Sequence, residues 1–233
     1  MQGSRIVTDS VFSSKTATSY ALVVYCKNTG RWVIVQRKHS NSFILFLTGH
    51  FRKSYIRIML SEMTATEKEI VKSCCEDLSS IPLLCRNNYI PFVSEADQII
   101  QENREYILEE IEKSKEAIAL KWTWPKGRFD YSLDVSYRDT AIREFMEEVE
   151  IELPVPLYIS DNFITEEKMN FDRKKSITHC WIYIIENEID LPEVKNNPEV
   201  ADRLWVSTKE LRELIDCTIT EEIISEVNRI LDI

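Results

Sequence analysis

Trp124-Pro125-Lys126-Gly127-Arg128, followed after a gap by Arg143-Glu144-Phe145-Met146-Glu147-Glu148, decides how this chain is read. At about 100° per residue the second stretch is an amphipathic helix, with Glu144, Glu147 and Glu148 at i, i+3 and i+4. Ile142, Phe145, Met146 and Val149 fall on the opposite side and form the expected buried stripe. Carboxylates within about 5–6 Å of one another repel unless a proton or a cation sits among them. Hard divalent ions take oxygen ligands, so Mg2+ or Mn2+ is the expected occupant. A solvated acidic face is the ordinary alternative for any one helix; the glycine segment ahead of this one changes the balance. The chain has only four glycines, so Gly127 implies a backbone reason, either a positive φ or the close approach of a phosphate.

Upstream, Ala117–Trp124 is expected as a strand that runs into the glycine loop. Tyr20–Cys26 and Arg31–Gln36 are β-rich runs joined by Lys27-Asn28-Thr29-Gly30, a hairpin signal. From about Phe43 the spacing becomes helical, over Phe51–Leu60, Thr66–Ser73 and Ala96–Ser114. Downstream, Pro156–Ile159, Ile177–Ile185 and Leu204–Ser207 read as strands. Ser207-Thr208-Lys209-Glu210 is a capping box, and a last helix is expected from Thr220 to near Leu231. The mixture predicts an α/β/α sandwich with a mixed sheet, interrupted by an inserted helical subdomain. Its expected divisions are a first part at 1–42, the insertion at 43–115 and the remainder at 116–233.

The Arg-Glu-hydrophobic-x-Glu-Glu helix behind a glycine loop resembles the signature of the Nudix hydrolases, and Arg143 through Glu148 match its second half residue for residue. The resemblance places the box at 127–150. Leu133 stands where the signature expects Glu, with Asp134 beside it as the expected substitute, and the loop is two residues longer than the pattern. Glu150 replaces the usual glycine, so the helix is expected to end without a left-handed glycine. The resemblance implies that Arg143 positions Glu144, and that Glu144, Glu147, Glu148 and Asp134 hold metal.

Metal-bound carboxylates are poor bases, so a further acid must activate water. Glu199 is the expected one. It lies in Glu199-Val200-Ala201-Asp202-Arg203-Leu204-Trp205, similar to a segment of mRNA-decapping Nudix proteins, with Asp202 the weaker substitute. The hairpin, Val35-Gln36-Arg37-Lys38, Phe43, the helical insertion, Trp122–Gly127 and Ala141–Glu148 together resemble the decapping enzymes of large cytoplasmic DNA viruses. That resemblance implies capped mRNA as partner, 7-methyl-GDP and 5′-monophosphate RNA as products, and a cytoplasmic location. It also implies aromatic stacking on the cap by Phe43 and Trp181, since a cationic purine is held by electron-rich rings. Lys126, Gly127 and Arg128 are the expected triphosphate contacts, and Arg52, Lys53 and Arg57 the expected RNA contacts, with Arg173-Lys174-Lys175 a second basic stretch.

A net charge of −10 argues against a general nucleic-acid surface, and no DNA partner is expected. Cys26, Cys74, Cys75, Cys85, Cys180 and Cys217 lack paired metal-site spacing and read as free thiols, and His39, His50 and His179 lack ligand spacing. No signal-like run occurs in residues 1–15 and no stretch approaches the roughly 20 apolar residues of a membrane span, so no membrane partner is expected. Two other functions compete with decapping. One is hydrolysis of dinucleoside polyphosphates or diphosphoinositol phosphates; the other is a non-catalytic Nudix-fold binding module.

Overall fold

The computed structural model describes residues 16–87, 95–114, 118–169, 175–195, 197–215 and 217–233. The amino-terminal segment read above and Arg173 and Lys174 of the basic stretch lie outside the described residues.

A hairpin of β1 (Ala17–Cys26) and β2 (Arg31–Arg37) opens the fold. Gly30 adopts φ 68°, the left-handed conformation that this turn demands and that glycine enters without a Cβ penalty. Among the described residues, five α-helices follow: α1 (Asn41–Leu47), α2 (Ile56–Ser61), α3 (Ala65–Glu76), α4 (Ile81–Asn87) and α5 (Glu95–Lys113). The chain then returns to the sheet through β3 (Trp122–Thr123) and β4 (Lys126–Gly127) and enters α6 (Tyr137–Val149). β5 (Tyr158–Ile159), β6 (Ile164–Met169), β7 (Lys175–Ile185) and β8 (Val200–Ser207) complete the sheet, and α7 (Thr208–Leu214) and α8 (Thr220–Leu231) close the chain.

The eight-stranded mixed sheet runs β3-β2-β1-β7-β5, with β4 on β1, β6 on β7 and β8 on β2. β1 and β7 pair in parallel from Ala17↔Ser176 to Cys26↔Ile185. From Tyr20 to Cys26 every residue of β1 is buried, as a strand covered on both faces requires. One face carries Tyr20, Leu22 and Val24 against Ala141, Phe145 and Val149 of α6. The other carries Ala21, Val23 and Cys180 against Leu211 after β8 and Ile223, Ile224 and Val227 of α8. This is the α/β/α sandwich expected from the sequence. The Ser207–Glu210 capping box forms in full, and β8 begins four residues earlier than expected.

β1 and β2 pair only beside their turn, at Tyr25↔Trp32 and Cys26↔Arg31, and then diverge. The segment from Trp122 to Gly127 bridges the divergence: Trp122 and Thr123 pair with β2, and Lys126 and Gly127 with β1. The strand expected over Ala117–Trp124 is therefore two short pieces that change partner at Pro125. Proline has no N–H to give a ladder, which suits the crossing point. β6 was not expected at all, because Ile164-Thr-Glu-Glu-Lys-Met169 is polar and half exposed.

Helices α1–α5 enclose a core of their own, built on Phe43, Phe46, Leu47, Ile56, Met59, Leu60 and Met63. The buried Glu67 knots two helix starts together. It accepts from the Ser40 N–H (2.7 Å) and the Thr64 N–H (2.9 Å), while Thr64 caps Glu67. Among the described residues, no helix is long and apolar enough to cross a membrane.

Phe145 is fully buried between α6 and the sheet. Phe145→Ala is expected to cost about 3–5 kcal/mol, read by urea denaturation. A loss below about 1 kcal/mol would show that α6 is not anchored through this ring.

Candidate active site

Arg143 is the centre of the site. Its Nε and Nη2 donate to the two oxygens of Asp134 (2.8 and 2.9 Å), and Nη2 also reaches the Arg128 carbonyl and Glu144 Oε1 (both 3.0 Å). Nη1 donates to Glu147 Oε2 (2.9 Å). The structure thus brings Arg143 and Glu144 together, as the resemblance implies.

Asp134 requires a correction. Besides the bidentate Arg143 pair, its Oδ2 accepts from the Asp130 N–H (2.8 Å) and the Thr140 hydroxyl (3.0 Å). These bonds, chiefly those from Arg143, hold its carboxyl far below the usual range, and its side chain is buried. An acid so fully engaged fastens the loop to α6 and is not a free metal ligand.

Glu144 and Glu148 face the glycine segment. The Lys126 N–H donates to Glu148 Oε2 (3.0 Å). A Cβ at Gly127 would overlap the Glu144 carboxylate, so the glycine is needed for the approach of a side chain of the protein itself. Gly127 has no positive φ, so the expectation of a left-handed glycine here does not hold. Burial pushes the Glu148 carboxyl up to about 8; Glu199 and Glu144 add repulsion, while the Lys126 N–H and Arg37 oppose the rise. Burial likewise raises Glu144, with Glu147 and Glu199 adding to it and Arg143 opposing. Glu199, exposed just before β8, therefore lies within electrostatic reach of both acids. Arg37, at the end of β2, comes within electrostatic reach of Glu148 only once the sheet is assembled, so its part in the site has no local signal in the sequence.

Glu147 does not share this pocket. It is more than half exposed and bridges to Arg143 beside a groove of about 490 Å³ lined by Leu133, Ile142 and Met146 among others. Met146, expected on the buried stripe, is 37% exposed there. The acidic stripe is thus split between two directions, because Glu147 and Glu148 are adjacent and about 100° apart.

The helix ends in a left-handed residue after all, and that residue is Glu150, with φ 56°. Its carboxylate pairs with the buried Arg203 (2.9 Å) and accepts from Asn197 (3.2 Å), and Arg203 also donates to the Val149 carbonyl. A cation over exposed helix carbonyls is favourable, which offsets the unfavourable φ. Spacing along α6 carries no sign of either partner, since both come from beyond residue 190.

Several expected contacts lie elsewhere. Lys126 pairs with Ala21, so its side chain runs to the opposite face of the sheet, near Glu166 and Cys180, where burial lowers its pKa; only its backbone serves this site. Arg128 is exposed, with its carbonyl held by Arg143. Phe43 is fully buried in the helical core and Trp181 is 5% exposed in the sheet core, so neither offers a face to a cap, and they belong to separate clusters. The exposed ring nearest Trp181 is Phe163, centred 5.1 Å from it and 4.2 Å from His179. Arg52, Lys53 and Arg57 are exposed; Lys53 lies 5.1 Å from the Tyr106 ring and Arg57 3.9 Å from Glu110. Lys175 pairs with Glu167. All six cysteines are free thiols.

A family model described as the NUDIX domain matches residues 99–225. The chain belongs to the Nudix domain family. No curated protein matches it in sequence. Similar solved structures include the NUDIX domain of Shewanella oneidensis NrtR complexed with ADP ribose, with a TM-score of 0.46, 13% identity, and coverage of 93% of this chain and 89% of that one. A C. elegans Ap4A hydrolase binary complex gives a TM-score of 0.48 at 15% identity, covering 93% and 98%. A NUDIX hydrolase from Nitrosomonas europaea gives 0.45 at 10%, covering 92% and 90%.

Nudix hydrolases generally use divalent ions such as Mg2+ or Mn2+. The donor set of this Nudix protein fits such an ion: Glu144 and Glu148 offer oxygen only, and burial and mutual repulsion raise both carboxyls, which a cation between them would relieve. Among the described residues no group of three acidic, His or Cys side chains forms a ready-made cage.

Two outcomes test the Nudix site. Gly127→Ala is expected to lower metal-dependent turnover by about 100-fold with unchanged circular dichroism, because it displaces the Glu144 carboxylate. The Asp134 carboxyl is depressed in the folded state, so its contribution to stability is full above about pH 4 and is lost as pH falls further, through the folded value. Asp134→Asn is expected to cost about 1–3 kcal/mol at pH 7 and to flatten the acid limb of a stability-against-pH curve. An unchanged acid limb would contradict the assignment.

Proposed function

We propose that this Nudix hydrolase cleaves a phosphoanhydride bond in the 5′ cap of mRNA, releasing 7-methyl-GDP and 5′-monophosphate RNA. The hydrolytic part rests on Glu144 and Glu148, two half-buried acids with raised pKa values, set against the glycine segment and opposite Glu199. The choice of a large substrate rests on the helical body between β2 and β3, which has its own core and exposes Arg52, Lys53 and Arg57. A hydrolase of free nucleotides has little use for such a body. The resemblance of the sequence layout to that of viral decapping enzymes supports the same reading.

In this reading Glu144 and Glu148 would hold Mg2+ or Mn2+, which would polarise the phosphates and make water easier to deprotonate. Arg143 keeps Glu144 oriented and faces the protein rather than substrate, since Asp134, Glu147 and the Arg128 carbonyl take four of its five N–H donors. Glu199, exposed and outside that ion-pair knot, takes the proton from the attacking water. The water oxygen bonds to phosphorus as the bridging P–O bond breaks, and the RNA monophosphate leaves. With Phe43 and Trp181 buried, Phe163, exposed beside Trp181 and His179, takes the purine in this reading. The implied partner is capped mRNA, with no role for DNA or membrane, and the implied location is the cytoplasm, that of the host if the chain is viral.

RNA labelled in its cap phosphates, incubated with Mg2+ or Mn2+, tests this. Wild type is expected to release labelled 7-methyl-GDP from long RNA and to leave a free cap dinucleotide largely intact. Glu144→Gln and Glu148→Gln are each expected to lose at least about 100-fold while remaining folded. Preferential cleavage of the free dinucleotide would move the reading to small nucleotides, toward which the burial of Phe43 and Trp181 leans. No metal-dependent product from either would leave a binding module.

A further inference from the structure

We infer that Asn197 is a positioning residue that sets the Glu199 carboxylate against the Glu144–Glu148 pair, an inference that rests on Glu199 being the base proposed above. Asn197 is 8% exposed and its amide is saturated. Nδ2 donates to the Glu147 carbonyl (3.0 Å) and to Glu150 Oε1 (3.2 Å). Oδ1 accepts from the backbone N–H groups of Glu199 and Val200, both at 2.9 Å. An Asn amide has two N–H donors and one oxygen with two lone pairs, and all four are used here.

The direction of these bonds carries the inference. The donor half grips the end of α6, where helix carbonyls lack partners within the helix. The acceptor half grips the two amides at the entry to β8. One side chain therefore joins the helix bearing the metal-binding acids to the residue proposed to activate water. β8 changes register against β2 between Gln36 and Arg37, beside the Arg37↔Val200 pair, so the ladder is irregular just where Glu199 enters it. Among the described residues, a further backbone tie is the Lys38 N–H to the Glu199 carbonyl (2.7 Å). Arg203 reinforces the junction from within β8 through Val149 and Glu150, but it lies four residues beyond Glu199.

The chemistry demands an amide. Aspartate at 197 keeps the acceptor half but turns a second carboxylate toward Glu150; alanine removes both halves. The test uses the full chain and whichever substrate the wild type turns over, capped RNA or the free cap dinucleotide. Asn197→Ala is expected to lower kcat by about 10–100-fold with KM changed less than about 3-fold, since geometry is lost and binding is not. Glu199→Gln is expected to cost about 100-fold or more in wild type but less than about 5-fold in the Asn197→Ala background, because a base already misplaced has little left to lose. Adding Glu150→Gln to Asn197→Asp supplies a donor for the new carboxylate and is expected to restore at least about 10-fold of the lost kcat, which loss of packing alone cannot explain.

Amide hydrogen exchange provides a readout without substrate. Glu199 and Val200 are expected to exchange at least about 10-fold faster in Asn197→Ala, while the amides of β7 remain as in wild type. Multiplicative losses in the double variant, or undiminished protection of these two amides, would overturn the inference. A wild-type rate for Glu199→Gln would instead sink the base assignment, and exchange would still decide whether Asn197 tethers the segment.

Discussion

The Arg143 guanidinium holds the site together. The loop from Arg128 to Ser136 has almost no core of its own: Tyr131, Leu133 and Val135 are 94%, 65% and 93% exposed. What fixes this loop is the fork between Arg143 and Asp134, strengthened by the Asp130 N–H and the Thr140 hydroxyl. A guanidinium keeps its charge at any working pH, and Asp134 keeps its own because the pair depresses its pKa. Once the loop is pinned, the remaining donors of Arg143 reach Glu144 and Glu147 and settle which way each acid points.

The sheet supplies the other half of the arrangement. Because β1 and β2 part soon after their turn, a crossing segment can enter between them, and its last two residues bring a bare backbone up to α6. Glycine is required there since Glu144 occupies the space of a Cβ. The result is two acids at the edge of a desolvated pocket with a third across from them. Such a set is unfavourable as three anions and becomes favourable when a cation joins it, so the electrostatic cost in the folded chain is also what makes it receptive.

Much of this was legible in the sequence, for local reasons. The i, i+3, i+4 spacing of Glu144, Glu147 and Glu148 identifies an acidic helix face from geometry alone. The Ser207–Glu210 box, the first hairpin and the last helix are set by contacts within a few residues. What stayed hidden depends on residues far apart in the chain. Asp134 was read as a stand-in ligand because its proximity to Arg143 in space cannot be deduced from a nine-residue separation across a loop. Phe43 and Trp181 were read as stackers because period and chemistry describe a ring but not what covers it. Glu150 looked like the loss of a left-handed cap, whereas Arg203, more than fifty residues on, makes that conformation tolerable. β6 escaped because its pairing with β7 replaces the hydrophobic alternation that would have announced it.

Position 126 illustrates how a site can be concealed from its own sequence. The amide of Lys126 belongs to the pocket and its ammonium belongs to the far side of the sheet, so one residue is read by two unrelated environments. Nineteen of the twenty amino acids carry that N–H, and selection on the bond to Glu148 therefore leaves the side chain free to drift with the needs of the opposite face. Only proline would delete the contact. Alanine scanning would leave the bond intact and report only on the neighbourhood of Glu166 and Cys180, so a silent result there would say nothing about the role of this backbone in the pocket.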